Sequence, residues 1–246
     1  MKTKYSKNED FFAIPNTVNS SLAGIFASDG NIRQRKYNWG ISYSINLGIS
    51  QRDRQMLEEI NRRCLSNYII RNYIYKKNIK KYYYECHMSM LSFYSAQRWE
   101  EDLEKNWNLI GGNKTLRIKP PNLDNLDNCL AFISGLITGD GTIYMVKRGQ
   151  QIPDIRISML GTYDLLVWCR TKICDFLGQN IRGQVRRERP EVNVFSLCFG
   201  GIGAARLIEK INKMDVIKLT RKWEQPEVLN RVNIIKDKPI HKFIKI

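Results

Sequence analysis

The sequence predicts an α+β protein built as two pseudo-symmetric halves, and three observations predict it. A short segment occurs twice, as SLAGIFASDGNI from Ser21 to Ile32 and as FISGLITGDGTI from Phe132 to Ile143. One offset superposes Gly24 on Gly135, Asp29 on Asp140, Gly30 on Gly141 and Ile32 on Ile143, and a repeat of this kind fixes the architecture before any element is assigned. The patterns after each copy also match, reading helix, two strands, helix, two strands, helix. Between them GGNKTLRIKPPNLDNLDN has the glycine, proline and asparagine content of a linker. The chain is therefore divided into a first half at 1–108, a linker at 109–127 and a second half at 128–246.

Each copy of the repeat reads as a helix. Gly24 with Ser28, and Gly135 with Gly139, set small residues four apart, the spacing at which two helix backbones approach closely. Glycine inside a helix costs up to about 1 kcal/mol against alanine, so its presence signals a close neighbour. The two helices are expected to pack side by side about a pseudo-two-fold axis. In the first half NWGISYSINLGIS alternates, with Ile41, Tyr43, Ile45, Leu47 and Ile49 apolar and Ser42, Ser44, Asn46 and Ser50 polar. That is a strand with one buried face. QRDRQMLEEINRRCL places Met56, Leu57, Ile60, Cys64 and Leu65 at helical spacing, with Ser50 ahead of Asp53 as a capping pair. NYIIRNYIY and KYYYECHMSM are strands joined by a basic turn from Lys76 to Lys81, and SFYSAQRWEEDLEKNW is a helix.

In the second half Ile155, Ile157 and Met159 alternate with Arg156 and Ser158, and Tyr163 to Leu177 is a helix that Gly178 ends. NIRGQVRRERPEVNVFSLCF is a hairpin turning near Arg189 and Pro190, and GAARLIEKINKM and LTRKWEQPEVLNR are the closing helices. Trp39, Trp99, Trp107, Trp168 and Trp223 are assigned to the core, whereas Phe11, Phe12 and the final HKFIKI read as surface straps or frayed ends.

Composition narrows the function. With 246 residues and 43% apolar content the chain has material for a core. It has no apolar run of about 18 residues and no secretion signal, so a soluble, unexported protein with no membrane partner is expected. Six cysteines without a C-x-x-C pair, and only two histidines, argue against structural zinc and a disulfide framework and for buried thiols in a reducing compartment.

Forty Lys and Arg against 24 Asp and Glu give a net charge of +16, which favours a polyanionic partner. Arg33, Arg35, Lys36, Arg71, Lys76, Lys77, Lys80 and Lys81 fall on the strands and turns of the first half. Arg148, Arg156, Arg182, Arg186, Arg187 and Arg189 fall on those of the second, and Tyr73, Tyr75, Tyr82, Tyr83 and Tyr84 interleave with the first set. One charge run is ordinarily a solvated face. Runs on equivalent hairpins of both halves point instead to sheets that lie in a DNA major groove, although charge alone does not separate DNA from RNA.

Asp29 and Asp140 fall at the last turns of the repeated helices, where the dipole is negative and carbonyls are unpaired. Two carboxylates brought together there repel each other unless they share a cation. Hard oxygen ligands from Asp29, Asp140 and the backbone carbonyls of Ser28 and Gly139 suit Mg²⁺. Beside a nucleic-acid-binding face, the chemistry this predicts is metal-assisted attack of water on a phosphodiester. A lone Asp-Gly is a common helix stop; two in register, in so basic a chain, carry more than punctuation.

At these residues the sequence resembles the LAGLIDADG homing endonucleases. LAGIFASDG, Leu22 to Gly30, matches the name motif at its first three and last two positions, and ISGLITGDG, Ile133 to Gly141, keeps the glycine, the apolar middle and the final Asp-Gly. The resemblance covers nearly the whole chain. It implies a monomer of two αββαββα halves with saddle-shaped antiparallel sheets and a central two-helix interface. It further implies a long double-stranded DNA target cut on both strands across the minor groove, leaving short 3′ overhangs, with a divalent cation, Mg²⁺, held by Asp29 and Asp140. The family often carries a Gln at the end of the second strand, matched by Gln51 in ISQRDRQ, while the corresponding place in ISMLGTYD holds Met159. A lysine near the close of each half is matched by Lys114 in GNKT and by Lys218 in VIKLTRK, with Lys222 as a competing register. RNA-splicing cofactors and non-catalytic DNA binders of the same fold are the alternatives, and retention of both aspartates favours cleavage. The absence of a flanking splicing domain fits an intron or free-standing gene, and the abundance of Lys, Ile, Asn and Tyr fits an A·T-rich genome, organellar or prokaryotic.

Overall fold

The structure, a computed structural model, describes residues 5–38, 40–79, 82–112, 118–147, 153–188 and 193–239, without the side chains at 77–79 and 82–84. The first half runs α1 (Thr17–Ser28), β1 (Gly30–Tyr37), β2 (Gly40–Ser50), a 3-10 turn (Gln51–Asp53), α2 (Arg54–Arg63), β3 (Arg71–Ile79), β4 (Tyr82–Tyr94) and α3 (Gln97–Trp107). The second runs α4 (Leu126–Gly139), β5 (Thr142–Val146), β6 (Asp154–Gly161), α5 (Tyr163–Leu177), β7 (Val185–Arg187), β8 (Phe195–Gly200), α6 (Gly201–Lys213), α7 (Thr220–Trp223) and α8 (Pro226–Ile235). The sheets have strand orders β1-β2-β4-β3 and β5-β6-β8-β7, antiparallel throughout, so the second repeats the first.

Alternation decides which face of each sheet is covered. Ile45, Leu47 and Ile49 of β2 and Leu91 and Phe93 of β4 are buried against the helices of the first half. Ile155, Ile157 and Met159 of β6 with Leu197 and Phe199 of β8 do the same in the second. Period-two burial is what a pleated strand with one covered face produces. The helices that carry the repeat begin alike. The Asn16 side chain accepts from the Asn19 amide at 3.0 Å, and Asn125 accepts from the Asn128 amide at 3.1 Å, each satisfying an otherwise orphaned first-turn donor.

Several expectations need correction. Phe12 is not a surface strap: its fully buried ring meets Trp99 and Trp107 edge-on at centroid distances of 5.1 and 5.5 Å. The indoles of α3 offer apolar surface that a Phe fills, which stabilises by about 1.5–3 kcal/mol. Phe11 packs beside it, partly buried. Trp99, Trp107 and Trp223 are fully buried and Trp168 is partly so, while Trp39 and the final HKFIKI lie outside the described residues.

The helix expected from Ser92 starts at Gln97, because Leu91 and Phe93 continue the alternation of β4 and Ser95 then turns the chain with φ of 50°. The strand expected from Asn67 starts at Arg71. The last helix splits at Gln225–Pro226, where proline cannot continue the amide ladder, and α8 then runs on past Arg231. Ser50 makes no side-chain cap, and its expected partner Asp53 turns away to Arg221.

Cys64, Cys129 and Cys169 are buried, and burial pushes each thiol up, so none of these is poised as a nucleophile. Cys86, Cys174 and Cys198 are partly exposed free thiols. Among the described residues no helix is long and apolar enough to cross a membrane.

Glu100 on α3 is buried, with Oε1 accepting from Gln34 Nε2 at 2.8 Å and Oε2 accepting no bond among the described residues. Burial raises its pKa, against the opposing effect of the Gln34 bond. The folded state therefore binds this proton more tightly than the unfolded chain, and stability falls as pH rises from below the unfolded pKa through the folded one. Glu100→Gln removes that loss. It is expected to raise the melting temperature at pH 7 by about 2–4 °C, the gain shrinking at pH 4; scanning calorimetry at both values checks it.

Candidate active site and nucleic-acid interface

α1 and α4 run parallel and cross where their glycines meet. A Cβ built on Gly24 would collide with the Phe132 carbonyl oxygen and lie 2.9 Å from Gly135 Cα; one on Gly135 would collide with the Ser21 carbonyl oxygen. Only glycine lets two backbones come this close. Toward the C-terminal end, Gly139 packs on Ser28, and a Cβ there would sit 3.1 Å from Asp29 Oδ2. The carboxylate of α1 therefore lies against the last residue of α4, next in sequence to Asp140.

Asp29 and Asp140 are the C-cap residues, their backbone amides donating to Ile25 and Leu136. β1 begins directly after Asp29 and β5 two residues after Asp140, so the acid pair stands where both sheets start. This donor set fits a hard divalent cation: two carboxylates, at the negative ends of two helices, beside backbone carbonyls. Among the described residues no group of three or more His, Cys, Asp or Glu could hold a metal, so such an ion would complete its coordination with carbonyl, water and ligand oxygens.

The lysine that reaches this helix junction is Lys222. Its Nζ donates to the carbonyls of Thr138 at 2.7 Å, Gly139 at 2.5 Å and Gly141 at 2.8 Å, with Ile137 at 3.3 Å. Burial holds its ammonium below the usual lysine range, against the pull of Asp29 and Asp140, which favour the charged form. Its helix is fixed to the second half by Trp223 Nε1 donating to Thr138 Oγ1 at 2.9 Å and by Gln225 Nε2 donating to the Ile143 carbonyl at 2.9 Å.

Lys218, the first choice from sequence, is turned elsewhere: it donates to Asn212 Oδ1 at 2.6 Å and pairs with Glu224 at 3.1 Å. Of the two registers, the one with Lys222 on the short α7 reaches the carbonyls at the end of α4. Gly139, expected to offer its carbonyl to a cation, gives it to Lys222. Ser28 Oγ donates back to the Gly24 and Ile25 carbonyls at 3.2 and 3.1 Å. Lys114 lies outside the described residues.

Gln51 follows β2 on the 3-10 turn. Met159 is not its counterpart. Asn31 pairs with Asn46 and Thr142 with Ser158, so Met159 matches the buried Leu47, and β6 passes through Thr162 into α5 with no inserted turn.

The open sheet faces sort the predicted cations by parity. On the first sheet Asn31, Arg33 and Arg35 of β1 pair with Asn46, Ser44 and Ser42 on the uncovered face, joined by Arg71, Tyr73 and Tyr75 of β3. Tyr73 and Tyr75 stack at 6.2 Å. Lys36 and Lys76 fall on the other face. Lys36 shares the parity of buried Ile32, and Lys76 pairs across with Glu85, 3.7 Å from its carboxylate. On the second sheet Arg156 and Arg186 take the open face with Tyr144, Ser158 and Ser196, and Arg182 lines the same hollow. Arg187 is opposite, its guanidinium over the Phe195 ring at 5.4 Å. Lys80, Lys81, Arg148 and Arg189, and the side chain of Lys77, lie outside the described residues. Of the polar positions flanking the arginines, Asn31, Tyr144 and Ser196 were not singled out from sequence, though strand parity alone would have found them.

This architecture, twin four-stranded sheets flanking a crossed helix pair that ends in two aspartates, is the LAGLIDADG homing endonuclease fold. Solved structures with it include the LAGLIDADG homing endonuclease I-GzeII in complex with its DNA target (TM-score 0.54, 10% identity, covering 92% of this chain and 99% of that one). The LAGLIDADG meganuclease I-AabMI bound to uncleaved DNA gives a TM-score of 0.55 at 11% identity, covering 91% and 92%. The meganuclease I-SmaMI bound to uncleaveable DNA gives 0.53 at 12%, covering 90% and 98%. No protein-family model and no curated protein matches the sequence.

Proposed function

We propose that the protein is a site-specific, divalent-metal-dependent DNA endonuclease of the LAGLIDADG homing type, which hydrolyses both strands of a long duplex and leaves short 3′ overhangs. The observation that carries this reading is the placement of Asp29 against the end of α4, beside Asp140, at the origin of both open sheet faces. The DNA complexes of I-GzeII, I-AabMI and I-SmaMI, one of the last formed in the presence of calcium ions, support it through the shared fold.

Asp29 and Asp140 would hold Mg²⁺, with the Ser28 carbonyl, water and phosphate oxygens as further donors. When bound, the ion neutralises charge at the phosphate and acidifies a water for attack. Around it the chain supplies position and charge. The open-face arginines, asparagines and tyrosines bind backbone and base edges and set the register of the duplex. Lys222, gathered in by the α4 carbonyls, places an ammonium where negative charge develops on the phosphoryl oxygens, a contribution that is larger in a site shielded from water. Gln51, on the turn after β2, and Lys114 are further candidates for ordering water.

The test is incubation with a randomised duplex library and Mg²⁺, followed by sequencing of the ends produced. One enriched sequence cut on both strands with 3′ overhangs is expected. A folded, DNA-binding protein that yields no enriched ends overturns the nuclease reading, and preferential binding of structured RNA in the same assay would point to a splicing role.

A further inference from the structure

We infer that the Asp53–Arg221 ion pair is a positioning device that holds α7 across the junction between the halves and thereby keeps Lys222 in the site. The inference rests on the reading of Lys222 as part of a nuclease centre.

Asp53 is a carboxylate with a side chain only 6% exposed, and Arg221 grips it with both arms, Nε to Oδ1 at 2.6 Å and Nη2 to Oδ2 at 2.8 Å. Arg52 Nε approaches the same carboxylate at 3.9 Å. Arg221 immediately precedes Lys222 on a helix of four residues with no side-chain cap. A single turn has no stability of its own, so its neighbours decide where it sits. The connector leading to it is docked on the first half. Arg63 binds Asp215 at 2.5 and 2.8 Å, and the Ile217 amide donates to the Ser21 hydroxyl of α1 at 2.9 Å. Beyond Lys222, Trp223 and Gln225 bind the second half. Lys222 therefore sits between an anchor on each half, and Asp53 is the anchor nearest to it on the first.

This gives the inserted turn Gln51–Asp53 a purpose. The second half has no such insertion, because β6 enters α5 directly through Thr162. The turn that presents Gln51 also reaches over to fix the lysine of the opposite half, so both candidates answer to one ion pair.

The experiment is lysine acylation read by mass spectrometry, run beside cleavage kinetics, on Asp53→Asn, Arg221→Lys and the control Asp215→Asn. The control breaks another bridge on the same connector without touching α7. Lys222 is expected to be protected in the wild type, to be labelled several-fold faster in Asp53→Asn and to an intermediate degree in Arg221→Lys, which keeps the charge but loses the planar fork. Asp215→Asn should leave it protected. In Asp53→Asn kcat should fall about 10–100-fold with duplex affinity unchanged, since the cost is one of misplacement. Equal labelling in wild type and Asp53→Asn, or an equal rise in the control, overturns the inference. Should Asp53→Asn fail to fold, Arg221→Lys decides alone. A wild type that cuts no duplex sinks the nuclease reading, while labelling still settles what holds Lys222.

Discussion

Asp29→Asn and Asp140→Asn are each expected to abolish double-strand cleavage, by about 10³-fold or more, while duplex affinity stays within about ten-fold. The fold should survive both changes, because each residue caps its helix through the backbone amide, donated to Ile25 or Leu136, and either substitution keeps that bond. Asn is the same size and keeps one oxygen, but it removes a negative charge from the acid pair at this helix junction. Relief of the repulsion between the carboxylates should leave the melting temperature unchanged or slightly raised without metal. Added Mg²⁺ should then raise it in the wild type and much less in either variant, by mass action on the folded state. DNA affinity is set elsewhere, by the open-face cations, so binding and cutting separate. Plasmid cleavage, fluorescence anisotropy and thermal melts with and without Mg²⁺ make the measurement. Full cleavage by either variant would show that the two acids do not share one centre.

What was legible in the sequence is what local backbone chemistry dictates. Gly24, Gly135 and the two Asp-Gly steps mark a close crossing that ends in acids, because no other residue type tolerates that crossing and the repeat displays it twice. The strands were legible through alternation, as at Ile45, Leu47 and Ile49. The same alternation, applied to cations, would have set Lys36, Lys76 and Arg187 on the covered side, but a run of charge reads as one surface until its parity is counted. Lys222 was not separable from Lys218. Which of them faces α4 depends on how a four-residue helix is held, and its anchors, Asp53, Trp223 and Gln225, act on it through tertiary contacts. Asp53 looked like a local capping residue for the same reason: its partner is 168 positions away. Phe12 was misplaced because a short apolar pair near a terminus carries no period from which burial can be inferred.

Gly135→Ala is expected to damage cleavage far more than it damages folding. The added methyl would strike the Ser21 carbonyl oxygen and come within 2.8 Å of Gly24 Cα, both backbone atoms that cannot swing aside as a side-chain tip can. Alanine is the better helix former by up to about 1 kcal/mol, so propensity alone predicts a gain. Overpacking against backbone opposes it with about 1–3 kcal/mol or more, giving a net fall in melting temperature of a few degrees for a chain of this size. To relieve the contact α1 and α4 must move apart by about 1 Å, and that displacement carries Asp29 away from Asp140. Misplacement on this scale costs a reaction about 10²-fold, well beyond what the stability loss explains. Gly203→Ala in the first turn of α6 is the matched control. Its methyl would meet only Leu177 Cδ1 at 3.3 Å and Ile181 Cγ2 at 3.5 Å, flexible tips that yield. Melting curves and single-turnover cleavage on the same preparations distinguish the outcomes. If Gly135→Ala cuts as fast as Gly203→Ala, the crossing does not set the spacing of the acids, and their convergence must be fixed by the sheets instead.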